Sequence, residues 1–290
     1  MPVGSTLEAA RRWYAEDIRE TVPIRHDDRV VEAFATVPRE HYLGEGPWQI
    51  HSRFGVGSVH QSASSDPRHL YHDVLVSVDP ASGINNGLPS LWAYVFDNLS
   101  ISAGSRVLQV GAGTGYFTAI LAELVGPQGH VIAYEIEEGL AARATKSLQH
   151  YRHVEVAAGD ATQAADLTER DIVVACAGVT HIPTPWLRVL AEDGRMLLPV
   201  TGEGGGGFLM HLTRRGGDLP VKSLGPCGFY PCQGARLEQE AKAISMALES
   251  GNRVDPDIGY YRQGSAPKTT EEAWVIGESF WITRRPADSS

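Results

Sequence analysis

Val107-Leu108-Gln109-Val110-Gly111-Ala112-Gly113-Thr114-Gly115-Tyr116 decides how this chain is read. Residues of buried-strand character run into three glycines at alternate positions, and a helical pattern starts at once. A glycine turn between a strand and a helix lets backbone approach a ligand and offers it the helix's unpaired N–H groups. Dinucleotide-binding turns read G-x-G-x-x-G, with the third glycine packing helix on strand. Here the spacing is G-x-G-x-G, one residue tighter.

Outward from that turn, strands alternate with helices. The pattern predicts strands over 106–110, 130–134 (followed by Glu135), 154–158 (followed by Gly159-Asp160) and 171–176. Helices are predicted over 116–125, closed by Gly126-Pro127, and over 137–150, with Leu140, Ala144 and Leu148 on one face. A short helix at 185–191 leads through Gly194 into a strand at 195–200. Such alternation implies a parallel sheet with helices on both faces. After residue 200 the pattern changes. Strands at 208–213 and 221–230, joined by a turn at 214–217, are expected to close the sheet edge as an antiparallel pair. A helix at 236–249 and a strand at 273–283 follow, with a frayed tail from Pro286.

Upstream, Ser5-x-x-Glu8 has capping-box spacing, with Leu7, Ala10, Tyr14 and Ile18 at helical intervals until Pro23. A second helix from Asp27 or Asp28 carries Val30, Val31, Phe34 and Val37 inward and stops at Pro38. Two short amphipathic helices need the later sheet to dock on. Residues 44–72 read as an irregular loop with a short strand; the spacing of His51, His60, His69 and His72 matches no zinc pattern, so no metal is expected. Ser82-Gly83-Ile84-Asn85-Asn86-Gly87-Leu88-Pro89 is a turn cluster, either a plain hairpin or a ligand-facing loop. The helix after it should point Leu91, Tyr94 and Val95 inward.

The expected fold is thus α/β. It is a doubly wound, mostly parallel Rossmann-like sheet with an antiparallel final strand pair, N-terminal helices and a C-terminal α+β extension. The expected divisions are 1–80, 81–234 and 235–290.

Composition sets bounds on function. The 290 residues carry a formal net charge of −10, with 42% hydrophobic residues. No run of five Lys or Arg occurs, which argues against sequence-independent nucleic-acid binding and against an anionic membrane partner. Glu8, Arg11 and Arg12 stand where a signal peptide would need an apolar core, and no apolar run is long enough to span a bilayer. Cys176, Cys227 and Cys232 are too few and too clustered for a disulfide framework, and Cys227 and Cys232 fall on opposite faces of one strand. Reduced thiols in a cytoplasmic protein are the expectation.

Ligands of open parallel sheets bind at the carboxyl ends of the strands. Three candidates fall there. Gly111, Gly113 and Gly115 follow the first strand; Glu135 ends the second, where a carboxylate accepts from both ribose hydroxyls; Asp160 ends the third, placed to accept from an exocyclic adenine amine. Each has a plain alternative, Glu135 as a solvated strand end and Asp160 as an N-cap. Their coincidence favours a nucleoside site. Glu135 suits a nicotinamide or an S-adenosylmethionine (SAM) cofactor, while the tight glycine spacing, the Asp160 position and the antiparallel ending favour SAM.

At this point the chain resembles the protein-L-isoaspartate O-methyltransferases. That family carries a Val-Pro-Arg segment before the nucleotide domain, matched by Val37-Pro38-Arg39-Glu40-His41-Tyr42. Its Tyr-x-Asp-x-x-Leu core is approximated by Tyr71-His72-Asp73-Val74-Leu75-Val76. Ile182-Pro183, then Leu190-Ala191-Glu192-Asp193-Gly194-Arg195-Met196-Leu197-Leu198-Pro199-Val200, resemble its fifth-strand region, and Phe229-Tyr230-Pro231 its Phe-Val-Pro ending. The likeness runs from about residue 7 to 234. It implies cofactor contacts from Val110, Gly111, Ala112, Gly113, Gly115, Tyr116, Glu135, Ile136, Asp160, Ala161 and Cys176.

The departures lie on the acceptor side. The family's Gly-Gln-Thr-Ile-Ser-Gln-Pro segment, whose hydroxyls hold the substrate carboxylate, aligns with Gly83-Ile84-Asn85-Asn86-Gly87-Leu88-Pro89, so Asn85 replaces threonine and Gly87 replaces serine. Residues 44–70 are longer than the usual link, and 235–290 has no counterpart in the short form. Asn85, Asn86 and Ser90 are the expected orienting donors, with Thr180 and His181 lining the same pocket; His181 is either a base for a hydroxyl or amine nucleophile or a hydrogen-bonded structural residue.

The expected activity is SAM-dependent O-methylation of an L-isoaspartyl-type carboxylate in a protein, a peptide or a small acid. The rival readings are a small-molecule or natural-product O/N-methyltransferase with a rebuilt pocket, and a non-catalytic SAM-binding protein. Nucleic-acid methylation ranks last, since no Asn-Pro-Pro-Tyr-type motif occurs.

Overall fold

The computed structural model describes residues 3–51, 59–250, 258–266 and 273–284. The chain divides into two compact units, one of residues 1–105 with 112–158, the other of 106–111 with 159–290.

The first unit begins with α1 (Val3–Thr21), α2 (Arg29–Thr36) and α3 (Glu40–Leu43). Next come strands β1 (Gln49–His51), β2 (Val59–Gln61), β3 (Leu75–Asp79) and β4 (Ile84–Asn85), then α4 (Pro89–Leu99). After β5 (Arg106–Val110) of the second unit, the first resumes with α5 (Tyr116–Val125), β6 (His130–Glu135), α6 (Glu138–Leu148) and β7 (Val154–Ala158).

In this unit β6 and β7 pair in parallel, Val131 opposite Val154 and Glu135 opposite Ala158. The α5 helix is apolar almost all round and buried almost all round, as a helix between packed layers must be. Rings of Tyr14, Phe34, Trp92, Phe96, Tyr116 and Phe117 interlock at centroid separations of 5.1–6.4 Å, which docks α1 and α2. Each such ring pair adds about 0.5–1.5 kcal/mol beyond its burial. Asp97, fully buried on α4, accepts from the N–H groups of Arg25, His26 and Asp27 and so fixes the turn into α2.

Three expectations need correction here. The first helix begins at Val3, so Ser5 lies inside it rather than capping it. Residues 44–72 are largely irregular as expected but hold two short strands rather than one: β1 and β2 belong to an antiparallel sheet ordered β2-β1-β3-β4. Its apolar side gathers Leu43, Trp48, Ile50, Leu70, Val76 and Val78 with Leu140. The strands are only two to five residues long, too short to show a period. On α4 the buried face is Trp92, Ala93, Val95, Phe96 and Leu99, with Leu91 and Tyr94 only half buried.

The second unit holds β5, β8 (Arg170–Ala175), α7 (Thr184–Val189), β9 (Leu190–Thr201), β10 (Gly206–Thr213) and β11 (Pro220–Gly228). It ends with α8 (Glu238–Glu249), β12 (Gly259–Gln263), β13 (Ala273–Ile276) and β14 (Phe280–Thr283). Its strands run in the order β13-β14-β12-β11-β10-β9-β8-β5. The pairs β5–β8 and β8–β9 are parallel, and every later pair is antiparallel.

The α/β, Rossmann-like class therefore stands with a longer antiparallel half than expected. The β10–β11 pair does not close the edge, because β12, β14 and β13 extend the sheet beyond it. The strand expected at 273–283 is a hairpin, β13 and β14, and β12 is an additional strand before it. β9 starts at Leu190, earlier than expected. Asp193 takes φ +57°, and a Cβ on Gly194 would lie 2.7 Å from the Ala191 carbonyl oxygen, so the strand kinks here where its register with β8 shifts. The tail from Pro286 lies outside the described residues. Among the described residues, no helix is long and apolar enough to cross a membrane.

Candidate functional site

The three glycines of the opening turn do different work. All have positive φ: +84° at Gly111, +56° at Gly113 and +95° at Gly115. A Cβ on Gly115 would lie 2.9 Å from Leu148 Cδ1, so this glycine lets α5 approach α6. A Cβ on Gly113 would meet no heavy atom within 4 Å among the described residues. Gly113 is thus the position whose bareness faces open space. Its N–H donates to Glu135 Oε2 at 2.6 Å, and the Ala112 N–H donates to the Tyr134 carbonyl at 3.0 Å.

Glu135 is 6% exposed. Its Oε1 also accepts the Glu137 N–H at 3.1 Å. Burial raises its carboxyl pKa above the ordinary value, opposed by the N–H groups of Glu137, Gly113 and Ile136. A buried carboxylate beside bare glycine backbone at the start of α5 fits a ribose, whose hydroxyls would use its remaining lone pairs. Ile136, next along, exposes its side chain. Tyr116 behaves otherwise. Its ring is 2% exposed, its hydroxyl lies 3.3 Å from that of Tyr14, and burial raises its pKa well above the ordinary value. The side chain belongs to the aromatic core, which leaves its backbone at the helix start for a ligand.

The acceptor-side segment also lies in the first unit. Asn85 Oδ1 accepts the Gly87 N–H at 2.9 Å; Gly87 takes φ +77°, and a Cβ there would sit 2.6 Å from Trp92 Nε1, so the position calls for glycine. Asn86 Oδ1 accepts from Val76 N–H at 2.9 Å and from Arg39 Nη2 at 3.3 Å. Two donors on one atom fix the amide orientation. Its Nδ2 is then buried with no hydrogen-bond partner among the described residues. Ser90, expected as a donor to substrate, already gives its hydroxyl hydrogen to Asp73 Oδ2 at 2.7 Å.

Arg39 organises this segment. Fully buried, it donates to the carbonyls of Leu70 (2.6 Å), His72 (3.0 Å) and Val74 (2.7 Å) as well as to Asn86. Its guanidinium lies over the Tyr14 and Tyr116 rings at 5.9 and 5.8 Å. The Val-Pro-Arg motif marks this residue, but its carbonyl partners lie 31–35 residues away and Asn86 47, which spacing does not reveal.

In the second unit, Cys176 N–H donates to the Val110 carbonyl at 2.7 Å, and a Cβ on Gly111 would lie 3.4 Å from Cys176 Cβ. Val110, Gly111 and Cys176 therefore meet at the carboxyl ends of β5 and β8. Asp160 caps the short turn Ala161–Gln163, its Oδ1 accepting the Thr162 N–H at 2.8 Å. The Ala161 carbonyl accepts from Trp186 Nε1 at 3.0 Å. His181 is half buried with Nδ1 3.2 Å from Thr180 Oγ1; burial lowers its pKa, opposed by Glu240. It is a hydrogen-bonded histidine whose burial favours the neutral form.

A family model described as Protein-L-isoaspartate(D-aspartate) O-methyltransferase matches residues 16–236. The protein-L-isoaspartate O-methyltransferase of Ignicoccus hospitalis is 30% identical over 206 residues, covering 70% of this chain and 87% of that protein. Protein-L-isoaspartate O-methyltransferase 2 of Pelobacter propionicus is 32% identical over 218 residues, covering 72% and 84%. A solved protein-L-isoaspartate O-methyltransferase shares the fold, with a TM-score of 0.65 at 16% identity over 95% of this chain and 88% of that one.

Proposed function

Since the chain belongs to the protein-L-isoaspartate(D-aspartate) O-methyltransferase family, we propose that its acceptor is the free carboxylate of an isoaspartyl residue in a peptide or protein. The match over 16–236 carries this reading. The chain is a SAM-dependent methyltransferase, and SAM is its cofactor.

When bound, the cofactor supplies an activated methyl group on a sulfonium that leaves without needing a proton. What remains for the protein is alignment and exclusion of water, effects on the order of 7–11 kcal/mol. We assign Glu135 to the ribose hydroxyls, Gly113 and Gly115 to close backbone approach, and Ile136 to an apolar contact. Asp160, with Ala161, is assigned to the adenine amine. Val110, Gly111, Ala112, Tyr116 and Cys176 complete the assignment, Tyr116 through its backbone.

A carboxylate acceptor, with a pKa near about 4, is already ionised at neutral pH. It requires donors rather than a base. Asn86 Nδ2 supports this reading, because it is a buried donor without a partner among the described residues. Leaving such a donor unmet costs about 1–3 kcal/mol, which an acceptor oxygen would recover. His181, hydrogen-bonded to Thr180, is assigned to the pocket wall.

Incubation with methyl-labelled SAM and an isoaspartyl peptide should give a base-labile ester that releases labelled methanol. A base-stable methylated product, with no methanol, would overturn the proposal.

A further inference from the structure

Residues 230–237 form a strap held at many points within the second unit. Gly178 N–H donates to the Tyr230 carbonyl at 2.7 Å, and Cys232 N–H returns to the Gly178 carbonyl at 2.8 Å. Thr180 N–H donates to the Ala235 carbonyl at 3.0 Å, and Leu237 N–H to Thr180 Oγ1 at 3.0 Å. The Arg236 guanidinium donates to Thr201 Oγ1 at 2.9 Å and to the Gly202 carbonyl. Backbone paired this often has no slack to retreat.

The strap touches the Asp160 turn at Gly234, where φ is +81°. A Cβ there would lie 2.5 and 2.7 Å from the two Asp160 carboxylate oxygens and 2.6 Å from Thr162 Oγ1. Asp160 is itself confined, capping its own turn through the Thr162 N–H, while fully buried Trp186 holds the Ala161 carbonyl. Any side chain at position 234 must displace the carboxylate.

We propose that Gly234 is a positioning residue for the adenine end of the cofactor, acting through the Asp160 carboxylate. This rests on the assignment of Asp160 to the exocyclic amine. The bare glycine lets the strap lie close against the carboxylate oxygens and fix their direction, so that affinity for a 6-amino purine depends on a residue that acts through Asp160. The strap runs directly into α8, which lies outside the matched family region. Fully buried Glu240 of α8 accepts Ser279 N–H at 2.8 Å, Ser279 Oγ at 2.5 Å and Glu278 N–H at 3.1 Å, which ties α8 to the turn between β13 and β14.

The test compares the full-length protein with Gly234→Ala and Arg236→Gln. Calorimetry measures binding of S-adenosylhomocysteine and of S-inosylhomocysteine, which carries a 6-oxo group, and thermal melting confirms folding. The wild type should prefer the adenosyl compound. Gly234→Ala should lose about tenfold affinity for it and about threefold or less for the inosyl compound, as expected when one charge-assisted hydrogen bond is misaligned. The KM for SAM should rise with kcat little changed. Arg236→Gln, with Gly234 intact, should shift discrimination in the same direction by about threefold. A folded Gly234→Ala protein that keeps adenosyl preference within about twofold overturns the proposal. If that variant does not fold, unchanged discrimination in Arg236→Gln overturns it. Wild-type protein that binds both compounds equally sinks the Asp160 assignment and this proposal with it, whereas no binding of either would strike the cofactor-site reading itself.

Discussion

Asp73 takes both donors at the start of α4, the Ser90 N–H at 2.8 Å and the Ser90 hydroxyl at 2.7 Å. The residue at the N-cap position, Leu88, has no polar side chain, so the helix borrows its cap from a carboxylate 17 residues upstream. The two residues are 3% and 4% exposed. The same contact holds the Tyr71–Asp73 region beside the acceptor-side loop.

Removing that cap should be costly. Asp73→Ala is expected to lower unfolding free energy by about 3 kcal/mol, since it deletes two hydrogen bonds to a buried charge. Ser90→Ala should cost about 1–2 kcal/mol, since it removes the hydroxyl donor to Asp73 Oδ2. Urea titration with an unchanged m-value checks both.

Arg39→Lys should not be conservative. An ammonium cannot span the Leu70, His72 and Val74 carbonyls and Asn86 as the guanidinium fork does. A loss of about 2–4 kcal/mol is expected, together with a raised KM for isoaspartyl peptide as Asn86 loosens. Equilibrium unfolding and initial-rate kinetics report the two effects separately.

The glycines of the turn should separate by phenotype. Gly115→Ala places a methyl 2.9 Å from Leu148 at φ +95°, so it should destabilise by about 2–4 kcal/mol. Gly113→Ala meets open space and should cost only about 1–2 kcal/mol for its positive φ, while weakening S-adenosylhomocysteine binding strongly. Equal loss of stability in both variants would contradict this division of labour.

Glu135 should make cofactor binding pH-dependent. Its carboxyl pKa is raised by burial, so affinity should fall as pH drops through that raised value, starting at higher pH than for an ordinary carboxylate. Stability runs the other way. The folded state holds the Glu135 proton more tightly than the unfolded chain, so wild-type stability relative to Glu135→Gln declines as pH rises from the unfolded to the folded pKa. Glu135→Gln should flatten both profiles, read by calorimetry and by urea titration across pH 4–7.

Legibility tracked the range of the interaction. The turn at Gly111–Gly115, the flanking β5 and α5, and Glu135 at the end of β6 were readable because apolar period and glycine placement are local signals. Strands β1 to β4 were not, being two to five residues long and stabilised by apolar partners as distant as Leu140. The burial of Trp92 rather than Tyr94 on α4 depended on which neighbours were present, Phe96 and Phe117 above all. Ser90, expected as a donor to substrate, spends its hydroxyl on Asp73, a partner 17 residues away that no local spacing reveals.

By itself the sequence determined the α/β class, the strand–turn–helix at Val110–Gly111–Tyr116, the carboxylates at the strand ends and the family, because these rest on residue type at short spacing. Only the tertiary structure decided which glycine faces open space, that Arg39 is a buried organiser of three carbonyls, and that Gly234 crowds Asp160. Those facts depend on atoms brought together from chain positions tens of residues apart, where packing chooses the partner and no periodicity records the choice.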